Sequence, residues 1–202
     1  RKEILTELGE LLDSQMSQTD QAVTHFNRAL EVDGLFIPAI ENLERIYASR
    51  GEKKQLVDIL TRKVRALDDA SEIAATKLRI GGLNEEMNDP QKAAQTFREV
   101  IEIEPQNLQG LRGLARVYEI LNQWPELVKV LESQLDVVTT ERERIDILMQ
   151  LANIHEEHFL KADIAAQLLE QVLEIDPNHE EAYFSLERAY RKLRQWVELI
   201  EV

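Results

Sequence analysis

Three arginines recur in one setting. Leu43-Glu44-Arg45-Ile46-Tyr47 returns as Leu114-Ala115-Arg116-Val117-Tyr118 and as Leu186-Glu187-Arg188-Ala189-Tyr190, at offsets of 71 and 72 residues. A guanidinium is a planar fork of donors that matches a carboxylate, so each arginine could grip an acidic group of a ligand or of its own chain. The neighbours drift, as Asn42, Gly113 and Ser185 or Ala48, Glu119 and Arg191 show, yet the arginine stays. Its recurrence fits contact with a ligand. It equally fits pairing with Glu7, Glu10, Glu85, Glu86 or Glu156, or plain common ancestry of the units. An exposed ion pair contributes only about 0–1 kcal/mol, which makes stability a weak reason for keeping it.

Other constellations carry less. His155-Glu156-Glu157-His158 has two histidines three apart, whereas metalloprotease chemistry needs them four apart around a glutamate base, and no third ligand is evident. The segment reads as the wet end of a helix, and His25 and His179 as packing or surface residues. There is no Gly-rich phosphate loop, nucleophile elbow or convergent Ser, His and Asp set, so no catalytic residue, cofactor or metal is expected. Trp124 and Trp196 recur at hairpin turns, with Lys53 in that place in the first unit, and read as packing residues, with a partner contact as the alternative.

The elements that must position these residues follow from the recurrence itself. A long period shared by three segments stacks nearest neighbours into an extended body, of composite units 1–69, 70–140 and 141–202, each of two helical hairpins. One array is expected over 1–202. Hydrophobic residues at 44% and charged residues at 31% suit a folded chain; with only 7 Gly and 5 Pro, helix formers dominate. The absence of cysteine excludes disulfides and thiolate metal sites. A net charge of −14 repels nucleic acid and anionic membranes on average, and favours basic or mixed-charge partners. No apolar run is long enough to span a membrane. A cytoplasmic location is the preferred expectation, with a periplasmic one left open. The opening Arg1-Lys2-Glu3 and the short final helix read as the ends of an excised segment.

Apolar residues at three and four spacing, such as Leu111, Leu114, Val117, Tyr118 and Leu121, mark amphipathic helices. Twelve are expected, near 2–16, 20–33, 36–50, 53–68, 71–87, 90–103, 107–121, 124–138, 141–158, 162–174, 178–193 and 195–202. Pro105 and Pro177 end two of them, and Gly34 is expected to end another in the left-handed conformation. Asp89-Pro90 reads as a cap with proline in the first turn, and Pro38 and Pro125 also stand near helix starts. Gly9, Ala115 and Ala152 are small where a close helix crossing is expected. Gly81-Gly82 inside a helix costs about 1.6–2 kcal/mol against alanine. Tight packing with one tolerated glycine and a local bend both remain open there.

Ala93, Phe97, Val100 and Pro105, then Ala165, Leu169, Val172 and Pro177, then Ala22, Phe26, Ala29 and Gly34, give a pattern that resembles the tetratricopeptide repeat. The alternate hairpins put Leu56, Leu127 and Leu199 where the family favours alanine. The resemblance covers essentially the whole chain, as five repeats and a truncated sixth, and the two-hairpin composite is similar to long bacterial scaffolds of this family. It implies an all-α solenoid of antiparallel hairpins stacked into a right-handed superhelix. It also implies that first helices line a concave groove into which Arg45, Arg116 and Arg188 point, with Asn42 and Arg112 on the same faces. Those faces lack the lysine and asparagine set with which some members grip a chaperone's C-terminal carboxylate. The expected function is a non-catalytic scaffold that holds a peptide or helix in that groove. The alternatives are a structural, self-associating segment and, at a remove, an attachment to an enzyme domain outside this chain.

Overall fold

The computed structural model describes residues 1–16 and 18–194. The helix expected over 195–202, with its Trp196, lies outside the described residues. Among those described there are eleven helices and no strand: α1 (Lys2–Ser14), α2 (Thr19–Val32), α3 (Ile37–Arg50), α4 (Lys53–Ala66), α5 (Ala70–Glu86), α6 (Pro90–Ile103), α7 (Leu108–Ile120), α8 (Trp124–Leu135), α9 (Glu141–Glu157), α10 (Ala162–Ile175) and α11 (Glu180–Leu193). The fold is all-α, built of consecutive helix hairpins. Two compact units are present, Arg1–Gly113 and Leu114–Val202. In the first, each helix from α1 to α5 packs on its successor; in the second, α8, α9, α10 and α11 do so in turn.

Local chemistry sets the boundaries. Asp69, Asp89 and Thr140 accept the backbone N–H of Glu72, Lys92 and Glu143, satisfying a donor the helix cannot. Gly51 closes α3 with φ of 68°. Gly34 does not take the left-handed conformation expected of it; among the described residues Gly51 is the glycine with positive φ. Asp33 closes α2 instead, its Oδ1 accepting Leu35 N–H at 3.1 Å, and Asp176 does the same to Asn178 at 3.0 Å. The residue after each is therefore free to be glycine or proline, and Pro177, locked at negative φ, stands at the equivalent of Gly34.

The hairpins close through small residues set against large rings. A Cβ added to Gly9 would lie 2.6 Å from the Phe26 ring, and one added to Gly81 would lie 2.5 Å from the Phe97 ring. Phe97 is also wedged from α7, where a Cβ on Gly113 would approach it to 2.6 Å. The close crossing on α7 thus falls on Gly113, while Ala115, expected there, is simply buried. In the second unit Ala152 packs in one cluster with Leu169, the counterpart of the two phenylalanines. Each such buried side chain stabilises by about 1.5–3 kcal/mol.

Gly81 and Gly82 separate cleanly. α5 runs through both without interruption, and nothing lies within 4 Å of a Cβ added to Gly82. Packing accounts for Gly81, and Gly82 is a tolerated excess. The Gly82→Ala variant should gain about 0.8–1 kcal/mol in urea unfolding. Gly81→Ala should lose about 1–3 kcal/mol, because Phe97 cannot retreat from α5 without meeting Gly113. Equal effects at the two positions would contradict this account.

Candidate functional site

Two first helices of the second unit, α9 and α11, frame a groove of about 780 Å³. α9 starts at Thr140, whose hydroxyl caps Glu143 N–H and also donates to the Glu143 carboxylate at 2.9 Å. α11 starts at His179, whose Nδ1 accepts Ala182 N–H at 3.2 Å. Leu186 and Tyr190 are buried, so the residue midway between them turns the other way. That residue is Arg188, and it lines the groove.

Arg188 is already engaged. Its Nε and Nη2 donate to the two carboxylate oxygens of Glu156 on α9, at 2.9 and 2.7 Å, and Lys192 Nζ donates to the same carboxylate at 2.7 Å. Glu156 is buried, 4% exposed, although the sequence placed it at a wet helix end. Burial alone would raise its carboxyl, but the hydrogen bonds from Arg188 and Lys192 outweigh this and hold it below the ordinary range. The same bond raises the Arg188 guanidinium.

The first unit repeats the arrangement. Arg45 Nη2 on α3 donates to Asp13 Oδ2 on α1 at 2.5 Å, which lowers the Asp13 carboxyl. Asn42 donates to Glu10 at 3.0 Å and to the Pro38 carbonyl at 3.0 Å, and accepts weakly from Arg45 at 3.5 Å. Arg45 and Asn42 are therefore together in the first unit, while Arg188 belongs to the second. Arg112 and Arg116 are exposed on α7. Of the carboxylates suggested by sequence, Glu156 is the partner of Arg188, whereas Arg45 takes Asp13 rather than Glu7 or Glu10. A signal for these acids did exist: Asp13 and Glu156 each stand one helical turn after the small residue at the close crossing, Gly9 and Ala152, and Glu85 has the same place after Gly81.

Sequence reasoning missed the rest of the groove. Phe184 on α11 is 70% exposed, and Met149 and Asn153 line the α9 side. Glu157, Glu180 and Glu181 join Glu156 in the lining; Glu156 is shared between Arg188 and Lys192, and the other three carboxylates face the space beside that cluster. Also missed was Glu44 on α3, which binds Lys63 of α4 at 2.8 Å and Arg79 of α5. Burial would raise its carboxyl, and these two cations lower it on balance.

His155 and His158 face rings. Trp124 stacks on His158 with centroids 3.7 Å apart and planes within 9°, and His155 lies against Phe159 at 5.4 Å. Burial pushes the His155 imidazole below its ordinary 6.5, with Lys161 acting in the same direction and Glu132 and Asp163 against it. The folded chain thus favours the neutral ring. The stability this contributes is fully present above pH 6.5 and is lost as pH falls through the lowered folded value.

Models of the tetratricopeptide repeat match residues 39–74, 74–107 and 111–145, and the chain belongs to this family. Its members are typically non-catalytic interaction scaffolds. No curated protein sequence matches the chain significantly. Solved structures share the fold at low identity. One is YrrB, described as a tetratricopeptide repeat protein with an unusual peptide-binding site: 14% identical over 90% of this chain and 89% of that one, TM-score 0.54. A second is MamA, 14% identical over 80% and 85%, TM-score 0.56. A third is the C-terminal part of a repeat protein from Cytophaga hutchinsonii, 15% identical over 92% and 73%, TM-score 0.56. Among the described residues no helix is long and apolar enough to cross a membrane.

Two measurements check these assignments. A double-mutant cycle on Glu156→Gln and Arg188→Met should give a coupling of about 1–2 kcal/mol in chemical unfolding, discounted for the half-exposed arginine; additive effects would deny the pair. Between about pH 7.5 and about pH 5.5 the His155→Leu variant should lose less stability than the parent. A loss equal to the parent's would remove His155 as its source.

Proposed function

We propose that the chain is a non-catalytic interaction module that holds a basic or mixed-charge peptide or helix, with the α9–α11 groove as its seat in the second unit. The observation that carries this reading is the lining of that groove. Phe184 stands largely exposed among Glu157, Glu180 and Glu181, and Arg188 spends its charge on Glu156. Such a surface rewards a ligand that brings lysine or arginine around an apolar side chain: the ring supplies contact area, and the acids supply register and attraction. Arg188 takes part through the guanidinium N–H groups that Glu156 leaves unused and by fixing the Glu156 carboxylate. Arg45 with Asn42, and Arg116 with Arg112, are the corresponding residues on α3 and α7. The peptide-binding description of YrrB and the scaffold character of the family support the reading in general terms.

Selection from a displayed library of random 12-residue peptides provides the test, followed by binding of the selected peptides to variants. Enriched sequences should combine basic residues with an aromatic or branched aliphatic residue. Phe184→Ala and the pair Glu180→Lys with Glu181→Lys should each weaken their binding by about tenfold or more, at unchanged helical circular dichroism. Enrichment of acidic peptides, or binding indifferent to Phe184, would defeat the groove assignment.

A further inference from the structure

The floor of the α9–α11 groove is built differently from the equivalent place in the first unit. There the Phe97 ring of α6 fills the gap between two first helices. A Cβ on Gly81 of α5 would meet the ring at Cε1, 2.5 Å away, and a Cβ on Gly113 of α7 would meet it at Cζ, 2.6 Å away. The atoms that span the gap are thus the outer atoms of the ring. Offsets of 71 and 72 residues carry Gly81 to Ala152, Phe97 to Leu169 and Gly113 to Ser185. Leucine ends at Cδ and has nothing in the place of Cε1 and Cζ. The Cβ of Ala152 and the side chain of Ser185 return part of that volume, but not all of it.

What is left opens into the groove. Ala152, Leu169 and Ser185 all belong to the lining of the 780 Å³ space. Ala152 and Leu169 are core residues, 3% and 1% exposed and members of one buried cluster, so the groove reaches the core at this point. Met149 of α9 and Phe184 of α11 flank the opening with apolar surface, and a methionine side chain adapts readily to what it touches. Glu157, Glu180 and Glu181 stand in the same lining. An apolar recess with charged groups around it binds by burying one side chain and orients by the charges.

Resting on the reading of this groove as the ligand's seat, we infer that the gap between Ala152, Leu169 and Ser185 is a socket for one apolar side chain of the ligand, of leucine to phenylalanine size. That side chain stands where Phe97 stands in the first unit, with basic residues beside it facing the carboxylates. Leu169 is then the residue that sets specificity, although it lies on a second helix and turns no side chain to the outer face of α9 or α11.

The probe is a series of fluorescein-labelled peptides of the pattern Gly-Lys-Lys-X-Lys-Lys-Gly, with X alanine, leucine or phenylalanine, titrated with the intact chain and followed by anisotropy. The leucine and phenylalanine peptides should bind at least about tenfold more tightly than the alanine peptide. Combining Ala152→Gly with Leu169→Phe installs the first unit's own pair; it should erase this preference while leaving the alanine peptide's affinity and the helical circular dichroism unchanged. Ser185→Leu fills the gap from α11 and should erase the preference too, which keeps the test decisive if the double variant folds poorly. Indifference to X in the parent chain, or a preference that survives filling at unchanged helicity, overturns the socket; the groove itself still stands if Phe184→Ala weakens all three peptides. Absence of saturable binding, or binding that depends on neither X nor Phe184, overturns both.

Discussion

The closeness with which a first helix can approach its second helix constrains everything else in this chain. A side chain as large as Phe26 or Phe97 can occupy the hairpin centre only because Gly9, Gly81 and Gly113 have no Cβ where the rings lie. Once that approach is fixed, so is the direction of the residues one turn further along. Asp13 follows Gly9, and Glu156 follows Ala152, by four residues, about 6 Å along the axis. From there each carboxylate meets the arginine of the next first helix, Arg45 or Arg188. The recurring arginine is thus tied to the recurring small residue.

This linkage changes what the acidic surplus does. Cations that could have neutralised the outer carboxylates are drawn to partly buried ones: Arg188 and Lys192 to Glu156, Lys63 and Arg79 to Glu44, Lys77 to Glu99. The cost of burying those acids is offset only by such pairing, since an unpaired buried charge would not be tolerated. What remains outward in the second-unit groove is Glu157, Glu180 and Glu181 around Phe184. Exposed charges of this sort act over about 8–10 Å at physiological salt, enough to choose the sign of a partner at close range.

Helix positions were legible in the sequence because their ends carry chemistry that acts locally. Pro90, Pro38 and Pro125, the cap Asp89 and the turn aspartate Asp176 each work within a few residues, and the boundaries followed them closely. Gly34 misled because glycine permits a left-handed turn without requiring one; the Asp33 side chain had already closed the helix. The His155 to His158 segment misled in another way. Its polarity suggested water, but Glu156 is buried against cations supplied from 32 and 36 residues away, and His158 lies on Trp124. The place of Glu156 one turn after Ala152 is a local mark, but nothing local names partners so distant in sequence. The arginines themselves were found, yet whether each faced an acid of its own chain depended on helix rotation that periodicity fixes only to within a residue.

Phe184 was invisible to the repeat comparison for a physical reason. Aligned on the motif leucine, its counterparts are Glu41 and Arg112: an acid, a base and an aromatic ring at one position, all exposed. Leucine and tyrosine of the motif must fill the same space in every two-hairpin unit, and the arginine of α3 and that of α11 must each meet a carboxylate, so those positions repeat. A position two before the motif leucine, on the exposed side of the first helix, meets no packing requirement and can change type without cost to the fold. A search for what recurs therefore finds the residues that build the groove's frame. The residues that give each stretch its own chemistry are those that share the frame's geometry and differ from unit to unit.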